Sequence, residues 1–432
     1  MRHLCALISA FLVIPLALAG TVEESRIQPA IEHMPTVVSA LSQEVSNFQQ
    51  QWVAAKDART TLQLAQSSGS QLWGAAKSLI RSSQSHDDRP LYWARLQILQ
   101  TMRDTPPGFP IFPDDRAAAL KAFEHASRGM DDVRFPEDRG VLRVLLTGFD
   151  PFLLDRHLDQ SNPSGVVALM LDGTEVTFRD AAGRTRVAHI AAAVFPVRFK
   201  DFDEGIVEDF LSPWMGASKT APKDWLDAAR ERLGGAKPGV VTTPPKVDLI
   251  LTISMGGLTD TFNIERFVGR RRSARAPDNM NQLSGGSLTA PVVPMLGNGP
   301  LIGPEFGENS LPVRAMQAAP GAYKIADNHW VRVVPDKQVV VDSLTALFNQ
   351  TAVEGGGGGY LSNEISYRSI RLRDQLGVNS LPVGHLHTPR YAGFDPAANA
   401  AIVQQVRAII TAAAQAVQAN VAPGGAQANS KR

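Results

Sequence analysis

Val141-Leu142-Arg143-Val144-Leu145-Leu146-Thr147-Gly148-Phe149-Asp150-Pro151-Phe152 is the stretch whose reading decides the fold. Val144 to Leu146 is wholly apolar, follows a polar segment and stops at Thr147-Gly148. A central parallel strand, buried on both faces and running out into a loop, has this pattern. Ligands of open α/β sheets bind beyond the carboxyl ends of such strands. Phe149 and Phe152 therefore stand where a substrate would be met, with simple packing into the core as the alternative for both rings.

Downstream, strand and helix patterns alternate. Val166 to Leu171 reads as a helix and Val187 to Val194 as a strand; Phe202 to Leu211 and Trp225 to Leu233 read as helices. Val247 to Ile253 is a second buried strand, ending at Ser254-Met255-Gly256-Gly257. A helix is expected over Asn363 to Leu372, and a last one after Asp395 with Ile402, Val406, Ile409 and Ile410 as its apolar face. This alternation predicts a three-layer α/β/α domain with a mostly parallel twisted sheet, spanning 134–421 and entered through the polar linker Arg134 to Gly140. Gln282 to Asn309, rich in Gly, Pro and Ser, reads as an irregular loop or flap. The run Val339-Val340-Val341 marks an added element.

Upstream, residues 20–133 read as a helical extension. Ile31, Met34, Val38, Leu41, Val45, Phe48 and Trp52 recur at spacings of three and four, a heptad-like seam. Pro35 suits the first turn of a helix. A second helical piece runs from Leu91 to Met102 and is broken by Pro106-Pro107-Gly108, and a third starts near Asp114-Asp115. The seam fits either a partner-binding or homo-oligomerising module or a helical layer over the α/β domain; the layer is the expectation.

The first 19 residues read as a secretory signal: Arg2 and His3, an apolar run from Leu7 to Leu18 too short for a typical spanning helix, and the small-x-small site Ala17-Leu18-Ala19. A periplasmic or secreted location, with no membrane attachment after cleavage, is expected. Cys5 is the only cysteine, so the mature chain would have no disulfide, thiolate metal site or thiol nucleophile. In a chain of 432 residues, 44% hydrophobic and 20% charged, a net charge of +1 argues against a nucleic-acid or anionic-membrane partner. The sequence shows no zinc-type Cys/His spacing, P-loop or complete dinucleotide fingerprint, and no cofactor or metal is expected. Residues 422–432, rich in Gly, Ala, Asn and Ser, read as a disordered tail.

Glu354-Gly355-Gly356-Gly357-Gly358-Gly359-Tyr360-Leu361-Ser362-Asn363 carries the chemistry. Glycines permit positive φ and expose amide donors. A nucleophile after such a turn, at a helix N-terminus, lies near amides able to stabilise an oxyanion. Taken without other blocks, the stretch reads equally as a flexible loop with a capping serine.

Four blocks, in order, resemble the pyroglutamyl peptidase I (pyrrolidone-carboxylate peptidase) family over roughly Val141 to Gln418. The first is Thr147 to Phe152 with Asn162-Pro163-Ser164, and the resemblance implies that Phe149, Phe152 and Asn162 form the substrate pocket. The second is Asn263-Ile264-Glu265-Arg266 with Ala274 to Asn279, where the family's triad glutamate falls on Glu265 and its loop arginine on Arg275, ten residues on. The third places the family's nucleophilic cysteine on Ser362. The fourth, Gly384-His385-Leu386-His387-Thr388-Pro389, places the catalytic histidine on His387; His385 reads as structural. Leu153-Leu154 stands where the family has Gly-Gly, and Ser254 or Met255 where it has a substrate-contacting glutamine. The resemblance implies a hydrolase that removes a pyroglutamyl or related blocked residue from a peptide through a Ser-His-Glu triad. A serine hydroxyl is far less acidic than a thiol and needs a base within hydrogen-bond reach. A non-catalytic descendant that binds peptide ends or a protein partner is the alternative.

Overall fold

The computed structural model describes residues 20–138, 140–217, 243–257 and 259–421. The expected signal segment, the expected helix over 225–233 and the expected tail lie outside them.

Fourteen strands are present among the described residues: β1 Val141–Phe149, β2 Thr174–Arg179, β3 Thr185–Phe195, β4 Leu249–Met255, β5 Thr261–Glu265, β6 Phe267–Gly269, β7 Met295–Leu296, β8 Gly299–Pro300, β9 Phe306–Glu308, β10 Lys324–Asn328, β11 Trp330–Val333, β12 Lys337–Val340, β13 Ala352–Glu354 and β14 Val383–Thr388. Seven form the main sheet in the order β10-β5-β14-β4-β1-β3-β2. β1 pairs in parallel with β3 and β4, β4 with β14, and β5 with β10. The β14–β5 and β2–β3 pairs are antiparallel. The domain is thus mixed α/β with a mostly parallel central sheet.

Side-chain alternation along the central strands explains the layers. Val144, Leu146, Ile190, Ala192, Leu251 and Ile253 belong to one buried cluster, with residues of the helices Pro163–Leu171 and Pro396–Val421. Leu145, Phe149, Ala191, Ala193 and Ile250 belong to another, with Phe202, Phe210, Leu361 and Ile365 from helices on the other face. A strand buried on both sides needs no polar face, which is why Val144 to Leu146 in β1 is an unbroken apolar run. The expected single helix from Phe202 to Leu211 is corrected: Gly205, at φ +89°, separates Phe199–Asp203 from Ile206–Leu211. The element marked by Val339 is a three-stranded antiparallel sheet, β12-β11-β13. Among the described residues one helix, Pro396–Ala419, is long and apolar enough to cross a membrane. Its face of Ile402, Val406, Ile409 and Ile410 is fully buried in the core.

Helices Ile27–His33, Pro35–Val38, Ser42–Ala54, Ala58–Ser83, Arg89–Asp104 and Pro113–Ala126 make up the extension. Met34, Val38, Leu41, Val45, Phe48 and Trp52 of the seam are buried within the chain, and Ile31 alone is 38% exposed. Phe48 stacks on Trp52, with centroids 5.6 Å apart, and meets Phe123 at 5.8 Å. The extension also binds the α/β domain with polar groups. Lys77 Nζ lies 2.7 Å from Asp172, to which Trp73 Nε1 also donates. Arg95 donates to Asp150 at 2.8 Å, and Arg128 pairs with the other oxygen of the same carboxylate.

Asp88, at the start of helix Arg89–Asp104, reaches the N-terminus of helix Pro163–Leu171. It accepts from Ser161 Oγ at 2.7 Å and from the Asn162 amide. Burial pushes its carboxyl up to about 8, although the Ser161 hydrogen bond works in the opposite direction. The folded chain thus holds a proton there that the unfolded chain releases near pH 4. Between these values the native state binds the extra proton, so stability falls as pH rises from about 4 to about 8 and then levels off. Urea unfolding across that window should show the decline in wild type and a flatter profile in Asp88→Asn. Parallel profiles would assign the proton elsewhere.

Candidate functional site

The carboxyl ends of β1, β3, β4 and β14 share one edge of the sheet because these strands run parallel. The candidate site lies there. On β14, His385 and His387 point to the same face, as residues two apart must. β5 runs antiparallel beside it with Asn263 opposite His387. Glu265, two residues further along the same face, reaches His387 as a diagonal cross-strand neighbour. Glu265 Oε1 lies 2.6 Å from His387 Nδ1. The other oxygen, Oε2, accepts from Asn328 Nδ2 at 2.6 Å, and Asn309 Nδ2 donates to the Glu265 carbonyl at 2.8 Å. Only 1% of Glu265 is exposed. A buried carboxylate so held fixes the imidazole's tautomer and orientation.

The glycine run ends against this pair. Gly355 and Gly358 exchange backbone hydrogen bonds, and Gly358 takes φ +82°, so the segment is a tight turn. A Cβ at Gly356 would stand 2.3 Å from Glu265 Oε2. One at Gly357 would lie 3.2 Å from both His387 Cε1 and the Asn363 amide nitrogen. The imidazole and the start of helix Leu361–Gln375 therefore flank one glycine. Ser362 sits in the first turn of that helix, where backbone amides have no intrahelical acceptor. Asn363 and Gly269 exchange side-chain and backbone hydrogen bonds of 2.7 and 2.9 Å. Glu364 pairs with buried Arg272 at 2.6 Å and Arg368 at 2.8 Å. Burial alone would raise the Glu364 carboxyl, but the two arginines outweigh it and hold it below the usual range. The helix N-terminus is thus anchored on both sides of Ser362. Ser362 and His387 are not hydrogen-bonded to each other.

Ser362, Phe149, Phe152 and Asn162 line one pocket, with Ser254, Met255 and Tyr360. Its cavity volume is about 20 Å³, room for about one water molecule. Phe149 is both wall and core, stacked on Phe202 at 6.2 Å. Phe152 is half-buried at the rim and stacks on Tyr360 at 6.0 Å; the Tyr360 hydroxyl donates to the Pro277 carbonyl. Asn162 borders the pocket, but its amide is committed: Oδ1 accepts from Ser164, and Nδ2 donates to the Asp150 carbonyl at 2.8 Å. It holds the Phe152 loop against its helix. Leu153 adopts φ +64°, a left-handed conformation that glycine takes freely and leucine at a cost of about 1–2 kcal/mol. The loop thus keeps a backbone shape for which its sequence has no glycine.

Arg275 does not line the pocket. It is exposed, with no ion pair among the described residues, on a loop whose Ser273 and Ala274 amides donate to Gly359 at 3.1 Å. The sequence reading did not single out Asn328, Asn309, Arg26 or the polar environment of His385. Arg26 donates to Asp155 at 2.7 Å and to the Asn279 carbonyl at 2.6 Å, tying together the loops that carry Phe152 and Arg275. Nothing local marks these residues; only the two-residue spacing of His385 and His387 predicts a shared face.

The site is thus a His–Glu pair and a serine at a helix N-terminus, beside an aromatic pocket at the carboxyl edge of an α/β sheet. Two family models match the chain: the PA0049 N-terminal domain over residues 12–124 and the PA0049 C-terminal domain over residues 143–229 and 315–392. A Pseudomonas aeruginosa protein, uncharacterized protein PA0049, is 28% identical over 435 residues, covering 78% of this chain and 72% of its own. Among solved structures, a mutant pyrrolidone carboxyl peptidase from Pyrococcus furiosus is similar over 64% of this chain and all of its own, with 18% identity and a TM-score of 0.36. The pyrrolidone carboxyl peptidase from Thermococcus litoralis is similar over 65% of this chain and 96% of its own, with 16% identity and a TM-score of 0.36.

Gly356→Ala should push the Glu265 carboxylate off His387. The downfield proton resonance of His387 Nδ1–H should disappear or move, with little change in the circular dichroism. An unchanged resonance would mean that the turn yields instead of the carboxylate.

Proposed function

We propose that this chain is a hydrolase that removes a pyroglutamyl, or a related cyclic or blocked, residue from the N-terminus of peptides. The observation that carries the reading is the 2.6 Å His387–Glu265 contact beside a helix that starts at Leu361 and presents Ser362 to the pocket. Ser362 Oγ would attack the carbonyl that follows the ring, with His387 Nε2 taking its proton. His387 would then give that proton to the leaving amine, and a water would release the acyl group from Ser362 by the same route. The oxyanion would lie against the amides of the helix's first turn, where the helix dipole favours negative charge. Phe149 and Phe152 would hold the ring between apolar faces, and Asn162 would hold the Phe152 loop in register.

A second reading, a pocket that binds peptide ends without cleaving them, is favoured by one observation: Ser362 has no hydrogen bond to His387. Since the cavity takes about one water molecule, on either reading Phe152, half-buried at the rim, would swing away from Tyr360 to admit the ring. The two readings separate with a fluorogenic pyroglutamyl amide. Wild-type turnover should vanish in Ser362→Ala and fall by about 100-fold or more in His387→Ala. Turnover by Ser362→Cys alone would leave the pocket intact and make the natural protein a binder. Silence in all four proteins would remove pyroglutamyl recognition as well.

A further inference from the structure

Behind the pocket lies a polar relay that the proposed triad does not use. His385 is fully buried, its ring 4.8 Å from that of His387. Both of its nitrogens are engaged: Nδ1 lies 2.8 Å from Thr252 Oγ1, and Nε2 lies 2.7 Å from Ser254 Oγ. The register places Thr252 opposite His385 and Ser254 opposite His387 on the adjacent parallel strand, so both hydroxyls share the histidines' face. Thr252 Oγ1 also lies 3.1 Å from the Gly384 carbonyl oxygen. A carbonyl can only accept, so the one hydroxyl hydrogen of Thr252 goes to Gly384. Thr252 then accepts from His385, which fixes the proton on Nδ1 and leaves Nε2 as a bare acceptor. The hydrogen of Ser254 Oγ therefore points to Nε2. Burial, and next the charge of His387, push the His385 imidazole well below its ordinary value, which keeps the ring neutral, with one nitrogen a donor and the other an acceptor.

Ser254 is 4% exposed, lines the pocket beside Ser362, and has no other side-chain hydrogen bond among the described residues. With its hydrogen committed to His385, it can offer the pocket only lone pairs. We propose that Ser254 is the specificity residue of this pocket, an obligate hydrogen-bond acceptor that selects ligands carrying an N–H donor, such as the lactam nitrogen of a cyclic residue, and that His385 and Thr252 are positioning residues that fix its polarity. This deepens the proposed function and rests on its assignment of the pocket as the substrate site. It needs no bond-breaking step.

The probes are 2-pyrrolidone and cyclopentanone, rings of one size in which a methylene replaces the N–H. Binding would be followed by NMR titration of the mature protein. Wild type should prefer the lactam by about tenfold, the worth of one hydrogen bond to a desolvated partner. In Ser254→Ala the preference should disappear. In His385→Phe, which frees the serine hydroxyl to turn its hydrogen outward, it should fall below about threefold, with the unfolding midpoint recorded as a check on folding. Nitrogen-15 shifts should show His385 protonated on Nδ1. A wild type that binds both rings equally or neither, a preference that survives Ser254→Ala or stays at full size in His385→Phe, or an Nε2-protonated His385 would overturn the inference. Failure of amide hydrolysis with the lactam preference intact would remove the hydrolase reading alone.

Discussion

The Asp150 carboxylate is the group on which the arrangement of this protein depends. It lies immediately before Pro151-Phe152, is 2% exposed, and meets Arg95 and Arg128 from the helical extension. Burial alone would raise its carboxyl, but the charges of Arg128 and Arg95 outweigh that cost and hold it below its usual range. An ion pair this deep adds little net stability over an apolar replacement, yet losing one partner is severe because a bare charge stays behind. The loop that carries the rim of the pocket therefore depends on these arginines: with either truncated and the layer still in place, the loop would begin at a buried carboxylate short of a partner. Arg26 adds a second tie, from the start of the extension to both loops around the site.

This dependence accounts for the two kinds of contact in the extension. Its seam from Met34 to Trp52 is ordinary core, packed within the helices and against the Phe123 ring. Its far side is polar and specific, with Asp88 on the Ser161-Asn162 turn, Lys77 and Trp73 on Asp172, and Arg95 on Asp150. Apolar packing holds the layer together without choosing a register. The buried polar contacts choose it, since a shifted register would leave buried polar and charged groups without their partners at a high cost.

The site shows the same division. Two strands, β5 and β14, bring a glutamate and a histidine together from positions 122 residues apart, and a glycine turn fits a helix N-terminus against them. Bulk is what this turn cannot have: Gly356 meets a carboxylate and Gly358 needs a positive φ. The Phe152 loop bears the opposite burden, a leucine in a conformation suited to glycine. It is held there by Asn162 and by the arginines on Asp150.

By itself the sequence determined the α/β class, because strands buried on both faces carry unbroken apolar runs, as Val144 to Leu146 does in β1 and Leu249 to Leu251 in β4. It also determined the order of the blocks that carry Phe149, Glu265, Ser362 and His387, and the glycine turn between two of them. It did not determine that Phe202 to Leu211 breaks at Gly205, because a lone glycine inside a helical pattern can also be tolerated within the helix. Asn162 as a clamp, the exposure of Arg275, Asn328 on Glu265 and the Thr252–His385–Ser254 relay were decided only by the tertiary structure. The Asn328 and relay contacts are hydrogen bonds between residues far apart in the chain, and hydrogen bonds at that distance leave no period or spacing in a sequence. Whether a buried polar side chain faces a partner, a pocket or solvent depends on which strands lie beside it, and that order is settled only when the sheet closes.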